Sequence, residues 1–259
     1  MTDSTEHIKT RVEGSVLEII ITRTERKNAL SLAMYAAMAG AIHSAVSSEN
    51  VNVVLLTGSE GVFSSGNDLE DFAVNSQPFD KNHPLVKFMG ALAECPLPVV
   101  AAVDGIAVGI GTTLLLHCDL VYASPQASFS LPFVNLGLCP EYAASYLLPR
   151  LAGYVKAAEF LLLGEKFDAQ CALNVGLVND IAEDPYVLAK EKCLLLSKKA
   201  PQAVRTTKAL MKSALKPNVD TVFEAEAKAF IHALKGSEFK EAVSAFFEKR
   251  DPDFKNISG

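Results

Sequence analysis

The chain has 259 residues, of which 49% are hydrophobic and 21% charged, so it is long enough to fold around a large core. Its net charge of −6 and its scattered basic residues argue against a nucleic-acid-binding protein, and it has no apolar run of the ~18 residues that span a membrane. The start, MTDSTEHIKT, lacks a signal-peptide core and the end, NISG, is not a Ser-Lys-Leu address, so we expect a cytoplasmic protein.

Five cysteines are present, an odd number, and they lie far apart in the sequence. No pair has the spacing of metal ligands, and no base lies beside Cys139 in sequence, so neither a metal centre nor a cysteine nucleophile is favoured. His117, beside Cys118 in an apolar run, is typical of a core histidine. No GxGxxG motif follows a predicted strand. We expect reduced, mostly buried thiols and neither a metal nor a redox cofactor.

Apolar runs, several of them rich in β-branched residues, predict buried strands in the first part of the chain. These strand-like segments cover residues 16–22, 51–58, 96–105 and 127–131. After the first, Ser31 is a typical helix N-cap and precedes a helix of small residues over 32–46. Residues 111–124 predict a helix that passes into a strand near Asp119. This alternation indicates an α/β fold with a buried sheet.

The pattern changes after Pro140, where almost every segment has helical periodicity punctuated by Gly and Pro. The predicted helices cover residues 141–153, 155–164, 168–176, 185–200, 201–215, 222–235 and 237–254. We therefore divide the chain into an α/β core over residues 1–195 and a C-terminal helical region over residues 196–259. This region has more apolar residues than one domain needs to cover itself, and they predict contact with neighbouring subunits. Examples are Phe223, Phe230, Leu234 and Phe239.

Three segments carry groups suited to chemistry. Glu141 is a single acid in the uncharged surroundings of NLGLCPEYAAS, residues 135–145. Two glycine turns, FSSGNDLEDF (63–72) and GIAVGIGTTLLLHCD (105–119), could present free N–H groups that hold an anion or a developing oxyanion. Each feature also has an ordinary explanation. Such turns are common in α/β proteins, and Glu141 could be an exposed helix-end acid that contributes only about 0.3–1 kcal/mol to stability.

In their order, these segments resemble the crotonase superfamily, the enoyl-CoA hydratases and isomerases. The resemblance covers nearly the whole chain. Its motifs are RKNALS, FSSGNDLEDF, PVVAAVDGIAVGIGTTLLLHCDLVYAS, FSLPFVNLGLCPEYAASYLLPRLAG, AAEFLLLGEKFDAQCALNVGLVN and AFFEKRDPDF. It implies a crotonase-like spiral of ββα units, a C-terminal helical region that builds trimers, often paired into hexamers, and a site for an acyl-CoA thioester.

The resemblance also implies a reaction. In the family, two backbone N–H groups hold the thioester oxygen, and these positions fall on Asn67 and Ile110. Family hydratases add two Glu residues at the positions of Thr113 and Phe133, which hold no acid here, so we expect substitutions there to have small effects. The chain is closer to the Δ3,Δ2-enoyl-CoA isomerases, which carry a single Glu where Glu141 stands.

A single base is sufficient for that isomerisation. It takes a proton from C2 of a 3-enoyl thioester, forming a dienolate, and returns the proton to C4. The apolar neighbours of Glu141 should raise its pKa toward working pH. Tyr142 departs from the family, in which a small residue usually follows this Glu, and its phenol could narrow the acyl pocket, donate a hydrogen bond or point away.

Further substrate contacts are implied by residues of this chain that match substrate-binding positions of the family. The RKNAL loop resembles the family segment whose backbone meets CoA, and two tail residues match positions that close over the CoA of a neighbouring subunit. The residues assigned to substrate or CoA binding are Lys27, Asn28, Ala29, Leu30, Ser65, Gly66, Gly109, Phe133, Leu138, Phe246 and Lys249. We expect an acyl-CoA substrate and a homotrimer or dimer of trimers, with no nucleic-acid or membrane partner. Two alternatives stay open: another crotonase-type enzyme (hydratase or hydrolase), and a catalytically silent acyl-CoA-binding module.

Overall fold

Ten strands form two sheets in the computed structural model, which describes residues 2–70 and 80–256. The strands are β1 (Thr2–Thr5), β2 (Ile8–Glu13), β3 (Val16–Ile21), β4 (Val53–Thr57), β5 (Val99–Val103), β6 (Ile106–Val108), β7 (Leu120–Ala123), β8 (Ser128–Ser130), β9 (Lys166–Asp168) and β10 (Asp180–Ile181). The larger sheet has the order β1-β2-β3-β4-β5-β7-β10, and the smaller one the order β6-β8-β9. Strands β3, β4, β5, β7 and β10 are parallel, whereas β1, β2 and β3 form an antiparallel meander.

The central strands are buried on both faces, which explains why they appear as continuous apolar runs. Because side chains alternate along a strand, Val54 and Leu56 of β4 enter one apolar cluster, whereas Val53 and Leu55 enter a second cluster on the opposite face. The first cluster is much the larger and extends to the helices that surround the candidate site.

The α-helices lie mainly in the second half of the chain. They are α1 (Leu32–Ser47), α2 (Pro84–Ala93), α3 (Ile110–Thr113), α4 (Ala144–Ala152), α5 (Tyr154–Ala158), α6 (Ala169–Asn174), α7 (Pro185–Ser197), α8 (Pro201–Ser213), α9 (Lys216–Leu234) and α10 (Ser237–Glu248). A 3₁₀ turn over Leu114–His117 continues α3, and a π turn over Glu159–Leu163 continues α5.

Helix α1 begins where its N-cap signal predicts. The Ser31 side chain accepts a hydrogen bond from the Met34 N–H at 3.3 Å, which satisfies one of the free donors of the first turn. The helix packs against α2 and buries one face of large side chains, including Tyr35, Met38 and Ile42. This packing carries Tyr35 into the interior beside the glycine turn at 63–70.

A buried ion pair anchors the C-terminal helices to the sheet. The Lys208 Nζ of α8 lies 2.5 Å from Asp119 Oδ2 and 2.7 Å from the Leu97 carbonyl oxygen. The same Asp119 oxygen accepts the Val99 N–H at 2.7 Å, at the start of β5. Both charged groups therefore have partners that offset their desolvation, and α8 is fixed in position before the chain enters α9.

The α/β fold class is confirmed, and the predicted strands at 16–22, 51–58, 96–105 and 127–131 all contain an observed strand. Two short strands, β9 and β10, interrupt the region after Pro140 that was predicted to be almost entirely helical. The boundary proposed between residues 195 and 196 falls in the last turn of α7, which packs on β4 and β5.

The four tail residues named from the sequence do not form an uncovered apolar surface, whereas subunit contact itself stays a prediction. Phe230 and Phe239 are buried within their own chain, and Phe223 and Leu234 pack against the same core. Exposed apolar side chains lie at other positions. On α5 and its π turn, Val155 is 82% and Leu162 is 68% exposed, and within the C-terminal helical region more than half of the surface is exposed at Leu210, Met211, Phe246 and Phe247. These residues, rather than the four tail residues, leave apolar surface without cover.

The described part of the chain has neither a membrane-spanning helix nor a cluster of metal-binding side chains. Neither residues 2–70 nor residues 80–256 contain a helix long and apolar enough to cross a membrane. The same ranges hold no group of three or more His, Cys, Asp or Glu side chains that could bind a metal ion.

Candidate active site

Glu141 lies in a buried turn between the sheet region and α4, with 7% of its surface exposed. Its Oε1 accepts a hydrogen bond from the Thr113 hydroxyl at 2.5 Å, whereas its Oε2 has no hydrogen-bond partner among the described residues. Helix α4 begins only at Ala144, and the carboxylate is bonded across to α3 instead of to the N–H groups of α4. The arrangement therefore does not match that of an exposed helix-end acid.

The surroundings of Glu141 change its protonation. Burial raises the pKa of Glu141 from its usual 4.5 to about 8, and the hydrogen bond from Thr113 offsets part of this rise. The nearby carboxylate of Glu226 raises the pKa further because two like charges oppose each other. Glu141 is thus poised to exchange a proton near neutral pH, as a general base must.

The turn that follows Glu141 is held in an unusual conformation. Tyr142 and Ala143 both have positive φ angles, of 64° and 56°, which non-glycine residues rarely adopt. The Tyr142 hydroxyl donates to the Met89 carbonyl at 2.7 Å, and its ring stacks on His117 with centroids 3.8 Å apart. His117 Nε2 lies 2.8 Å from the Tyr142 carbonyl oxygen. Since an oxygen of this kind only accepts, that nitrogen carries the proton, and these contacts hold the turn in place.

His117 is the core histidine that its apolar surroundings predict. Burial lowers its pKa to about 4, so the ring is neutral at physiological pH. Tyr142 does not donate to the base. Its phenol is committed to Met89, and the residue forms part of the wall of the cavity that contains Glu141.

The two glycine turns lie side by side. Ser64 pairs with Ala107 of β6, and its N–H donates to the Ile106 carbonyl at 3.0 Å. Gly66, with a φ of 92°, is so close to β6 that a Cβ there would lie 2.7 Å from the Val108 carbonyl oxygen. Gly111 is similarly close to the first glycine turn, because a Cβ there would lie 2.8 Å from the Ser64 carbonyl oxygen. Only glycine fits these close backbone approaches.

Two backbone N–H groups at these turns are left without acceptors. Asn67 pairs with Leu30 in a parallel bridge, but the bonds of that bridge use the N–H groups of Leu30 and Asp68. Ile110 is the first residue of α3, so its N–H has no intrahelical partner. Within residues 2–70 and 80–256, neither the Asn67 nor the Ile110 N–H is bonded to an acceptor. These are the two donors assigned from the resemblance.

A small, mainly apolar cavity of about 50 Å³ contains both Asn67 and Glu141. The other described residues that line it are Leu85, Val86, Met89, Tyr142, Phe223, Ala227, Phe230 and Ile231. The walls come from α2 and α9, and Glu141 is the only carboxylate among these lining residues. The fully buried Tyr35 donates to Asn67 Oδ1 at 2.5 Å, which fixes the orientation of the Asn67 side chain.

In the RKNAL loop assigned to CoA binding, residues 26–30, two of the side chains are buried and contact the protein itself. Lys27 is exposed, whereas Asn28 and Leu30 are fully buried. The Asn28 amide donates to the Val62 carbonyl at 2.7 Å, and the Ser65 N–H donates to the Lys27 carbonyl at 3.0 Å. These contacts tie the loop to the first glycine turn. The charged groups at the loop surface are Lys27 and Arg26, and Arg26 is paired with Glu70 at 3.2 Å.

The other assigned residues have different positions. Phe133 and Leu138 belong to the apolar core and do not line the cavity, and Gly109 is the residue before α3. Phe246 is 59% exposed on α10, and Lys249 follows that helix with a positive φ. The structure thus brings Asn67 and Glu141 together, with Ser65, Gly66, Gly109 and Ile110 in the turns beside them. Of the FSSGNDLEDF motif, Asp71 and Phe72 lie outside the described residues.

Three residues at the site were not identified from the sequence. Thr113, considered only as a position without an acid, donates the hydrogen bond to Glu141. Tyr35 holds Asn67 from α1, and Glu226 of α9 influences Glu141 through its charge. Tyr35 and Glu226 lie at buried positions on helices with apolar faces. The sequence could have indicated their involvement only through the presence of a polar residue on an apolar face.

The chain belongs to the enoyl-CoA hydratase/isomerase family, whose model matches residues 11–257. It is 31% identical to 1,2-epoxyphenylacetyl-CoA isomerase of Escherichia coli K12, over 96% of this chain and 98% of that protein. It is 30% identical to 2,3-dehydroadipyl-CoA hydratase of the same strain, over 93% and 95% of the two chains. It is 32% identical to enoyl-CoA delta isomerase 2 of Rattus norvegicus, over 92% of this chain but only 62% of that longer protein.

Solved structures have the same fold. That of OdaA from Pseudomonas aeruginosa superimposes with a TM-score of 0.91 at 43% identity, covering 93% of this chain and 99% of that one. The crotonase-type fold and membership of an enzyme family of enoyl-CoA hydratases and isomerases are therefore established. Because isomerases and a hydratase occur at similar identity, the particular reaction must be argued from the site.

Proposed function

We propose that the protein is a Δ3,Δ2-enoyl-CoA isomerase. The observation that carries the proposal is that Glu141 is the only carboxylate among the described residues that line the cavity. Thr113 and Phe133 supply no acid at the positions used by family hydratases. Adding water needs one group to activate it and another to deliver a proton, whereas moving a double bond needs one base that returns the proton it took.

In the proposed reaction, Glu141 removes a proton from C2 of a 3-enoyl thioester. The C–H electron pair forms a C1–C2 double bond, and negative charge develops on the thioester oxygen. The N–H groups of Asn67 and Ile110, which have no acceptor within the described residues, would stabilise that oxyanion. Protonated Glu141 then delivers the proton to C4, where the C3–C4 π pair forms the new C–H bond. The C1–C2 π pair moves to C2–C3, the oxyanion becomes the thioester carbonyl again, and the 2-enoyl product leaves. The balanced reaction requires no metal or redox cofactor.

The test uses two substrates, with and without a chelator. With 3-hexenoyl-CoA, we expect absorbance of the conjugated 2-enoyl thioester to appear, unaffected by the chelator. With 2-hexenoyl-CoA, we expect no addition of water. Hydration of the second substrate without conversion of the first would identify a hydratase. No change in either substrate, with CoA ester retained on the protein, would identify a binding module.

Replacing Thr113 by Val, which removes the hydroxyl but keeps the shape, should shift the ascending limb of kcat/KM to higher pH by about one unit, because a hydrogen bond to the ionised base is lost. Activity at neutral pH should fall by about tenfold. Thr113→Ser, which keeps the hydroxyl, is the matched control and should behave like the wild type. Equal pH profiles for the Val and Ser variants would show that the hydroxyl does not act on Glu141. This expectation replaces the small effect predicted from the sequence.

We also propose that the protein is a trimer or a pair of trimers. The support comes from the exposed apolar surface of α5 and its π turn, where Tyr154, Val155, Leu162 and Leu163 are all more than half exposed. Light scattering at micromolar concentration should give about three or six times the chain mass of 27.8 kDa. The double variant Val155→Asp, Leu162→Asp should lower the mass. A wild-type mass of one chain would refute the proposal.

A further inference from the structure

A second buried carboxylate lies next to the turn that carries the base. Glu226 of α9 is 7% exposed, although Glu224, two positions before it and on the opposite side of the helix, is exposed. Its Oε1 accepts the Ser145 N–H at 2.8 Å, and its Oε2 has no hydrogen-bond partner among the described residues. The isomerisation as proposed makes no use of this group.

Glu226 supplies the cap that α4 lacks in its own sequence. The N-cap residue of α4 is Ala143, which has no side-chain oxygen to offer the free N–H groups of the first turn. Glu226 reaches across from α9 to accept one of them. The turn is closed on the other side by the Ala144 N–H, which donates to the Glu141 carbonyl at 3.1 Å. The carboxylate therefore holds the backbone directly after the base.

The two acids are both buried, but different groups face them. Burial raises the pKa of Glu226, and the Ser145 N–H at the start of α4 offsets part of this rise because it favours the ionised form. Glu141 lies in an apolar cavity, which favours its protonated form, and the Thr113 hydroxyl offsets part of this effect. When two such carboxyl groups lie close together, the better solvated one ionises first and then opposes the ionisation of the other.

Few other titratable groups act on Glu141. Tyr35 faces it from α1, and Tyr142 and Cys139 belong to its own segment, but burial raises the pKa of all three, so they are uncharged near neutral pH. His117, from the 3₁₀ turn behind Tyr142, is neutral because burial lowers its pKa. Among the described residues, this leaves Glu226 as the charge that acts on the base.

We propose that Glu226 is a positioning residue that fixes the turn carrying Glu141 and, through its negative charge, makes Glu141 a stronger base. The inference rests on the proposed function of Glu141. The proposed role of Glu226 differs from that of a purely structural helix cap in one respect. A cap needs only an oxygen that accepts the Ser145 N–H, whereas strengthening the base needs a charge.

The variant Glu226→Gln separates these two roles, because its amide oxygen still accepts the Ser145 N–H but carries no charge. We expect the ascending limb of kcat/KM to move to lower pH by about one unit. A weaker base transfers protons more slowly, and if about half of the lost basicity appears in that rate, kcat/KM falls about threefold at high pH, where Glu141 is fully ionised. Well below the ascending limb, a larger fraction of the variant is ionised, and kcat/KM rises about threefold. The wild-type and variant profiles should therefore cross.

The matched control is Glu224→Gln, which removes the same charge from an exposed position on the same helix and should leave the profile unchanged. A purely structural role for Glu226 would lower kcat/KM of the Gln variant equally at every pH. Profiles that do not cross would overturn the proposal. An equal shift in the Glu224 variant would also overturn it, because the effect would then be one of net charge.

A measurement without substrate separates this inference from the proposed function. Carboxyl signals of ¹³C-glutamate-labelled protein are followed against pH, and Glu141 and Glu226 are assigned from their Gln variants. We expect the Glu141 midpoint to fall by about one unit in Glu226→Gln. An unmoved midpoint would overturn the inference even if Glu141 is the base. A moved midpoint, with turnover retained in Glu141→Gln, would keep the coupling and refute the proposed reaction.

The same experiment decides the matter if Glu226→Gln does not fold. In that case Glu141 is assigned from Glu141→Gln, and Glu226 is identified as the glutamate whose second, smaller inflection, at the pH where Glu141 titrates, disappears in Glu141→Gln. This Glu226 signal should titrate below Glu141. A Glu226 midpoint above that of Glu141 would mean that Glu226 is uncharged when the base ionises, and would overturn the proposal.

Discussion

Glu141→Gln should lower the rate of 3-enoyl to 2-enoyl conversion by about 10²–10⁴ at saturating substrate, while acyl-CoA affinity changes little. The amide fills the same space and can still accept the Thr113 hydroxyl, but it cannot take a proton from C2. The pH profile of kcat/KM should also lose its ascending limb. The measurement is the absorbance assay with 3-hexenoyl-CoA across pH 5–9, together with binding of a non-reactive acyl-CoA.

Unfolding experiments supply the control for this variant. A carboxyl group with a raised pKa in the folded state binds protons more tightly there than in the unfolded chain, so its contribution is present at low pH and is lost as pH rises through about 8. Glu141→Gln should therefore gain stability relative to the wild type between pH 5 and 9. A folded variant with more than about half of the wild-type rate would remove Glu141 from the mechanism.

Gly66→Ala should have the second largest effect, a loss of about 10²–10³ in kcat. The new Cβ would lie 2.7 Å from the Val108 carbonyl oxygen, and the φ of 92° is unfavourable for alanine. The backbone must move, and with it the N–H of the next residue, Asn67, which we propose to hold the oxyanion. The loss should appear in kcat more than in KM, because this donor acts on charge that develops in the transition state.

Gly40→Ala is the matched control, because the same substitution in the middle of α1 meets no atom within 4 Å. We expect full activity and a gain of about 0.5–1 kcal/mol in stability. Circular dichroism and thermal unfolding show whether the Gly66 variant is folded. A folded Gly66→Ala protein with kcat close to wild type would mean that the Asn67 N–H does not hold the oxyanion.

The fold was predictable from sequence where burial leaves a clear pattern. Strands β4 and β5 are buried on both faces and appear as continuous apolar runs, and α1 carries its own N-cap. Strand β2 was missed because most of its residues are exposed and polar, so it shows no apolar run. Strands β6 and β9 were missed because three residues cannot establish an alternating pattern.

The site was predictable as far as local motifs extend. Glu141 and the two glycine turns each lie in a short stretch whose residues act together. The supporting residues are distant in sequence: Thr113 bonds to Glu141 across 28 positions, Tyr35 to Asn67 across 32, and Glu226 to Ser145 across 81. The packing of the helices decides which polar residues make such contacts. The hydrophobic periodicity of a sequence predicts helices, but it does not predict which distant residues meet.

The wall that α9 contributes to the cavity also bears on the order of events during protein synthesis. A nascent chain that has left the ribosome through the end of α8, at Ser213, contains Glu141 and both glycine turns but lacks Phe223, Phe230 and Glu226. Its base would lack one wall of the cavity and would be less buried, so its pKa would be raised less. The carboxylate that performs the proposed chemistry would thus acquire its full proton affinity only after α9 has been synthesised and has packed against the turn.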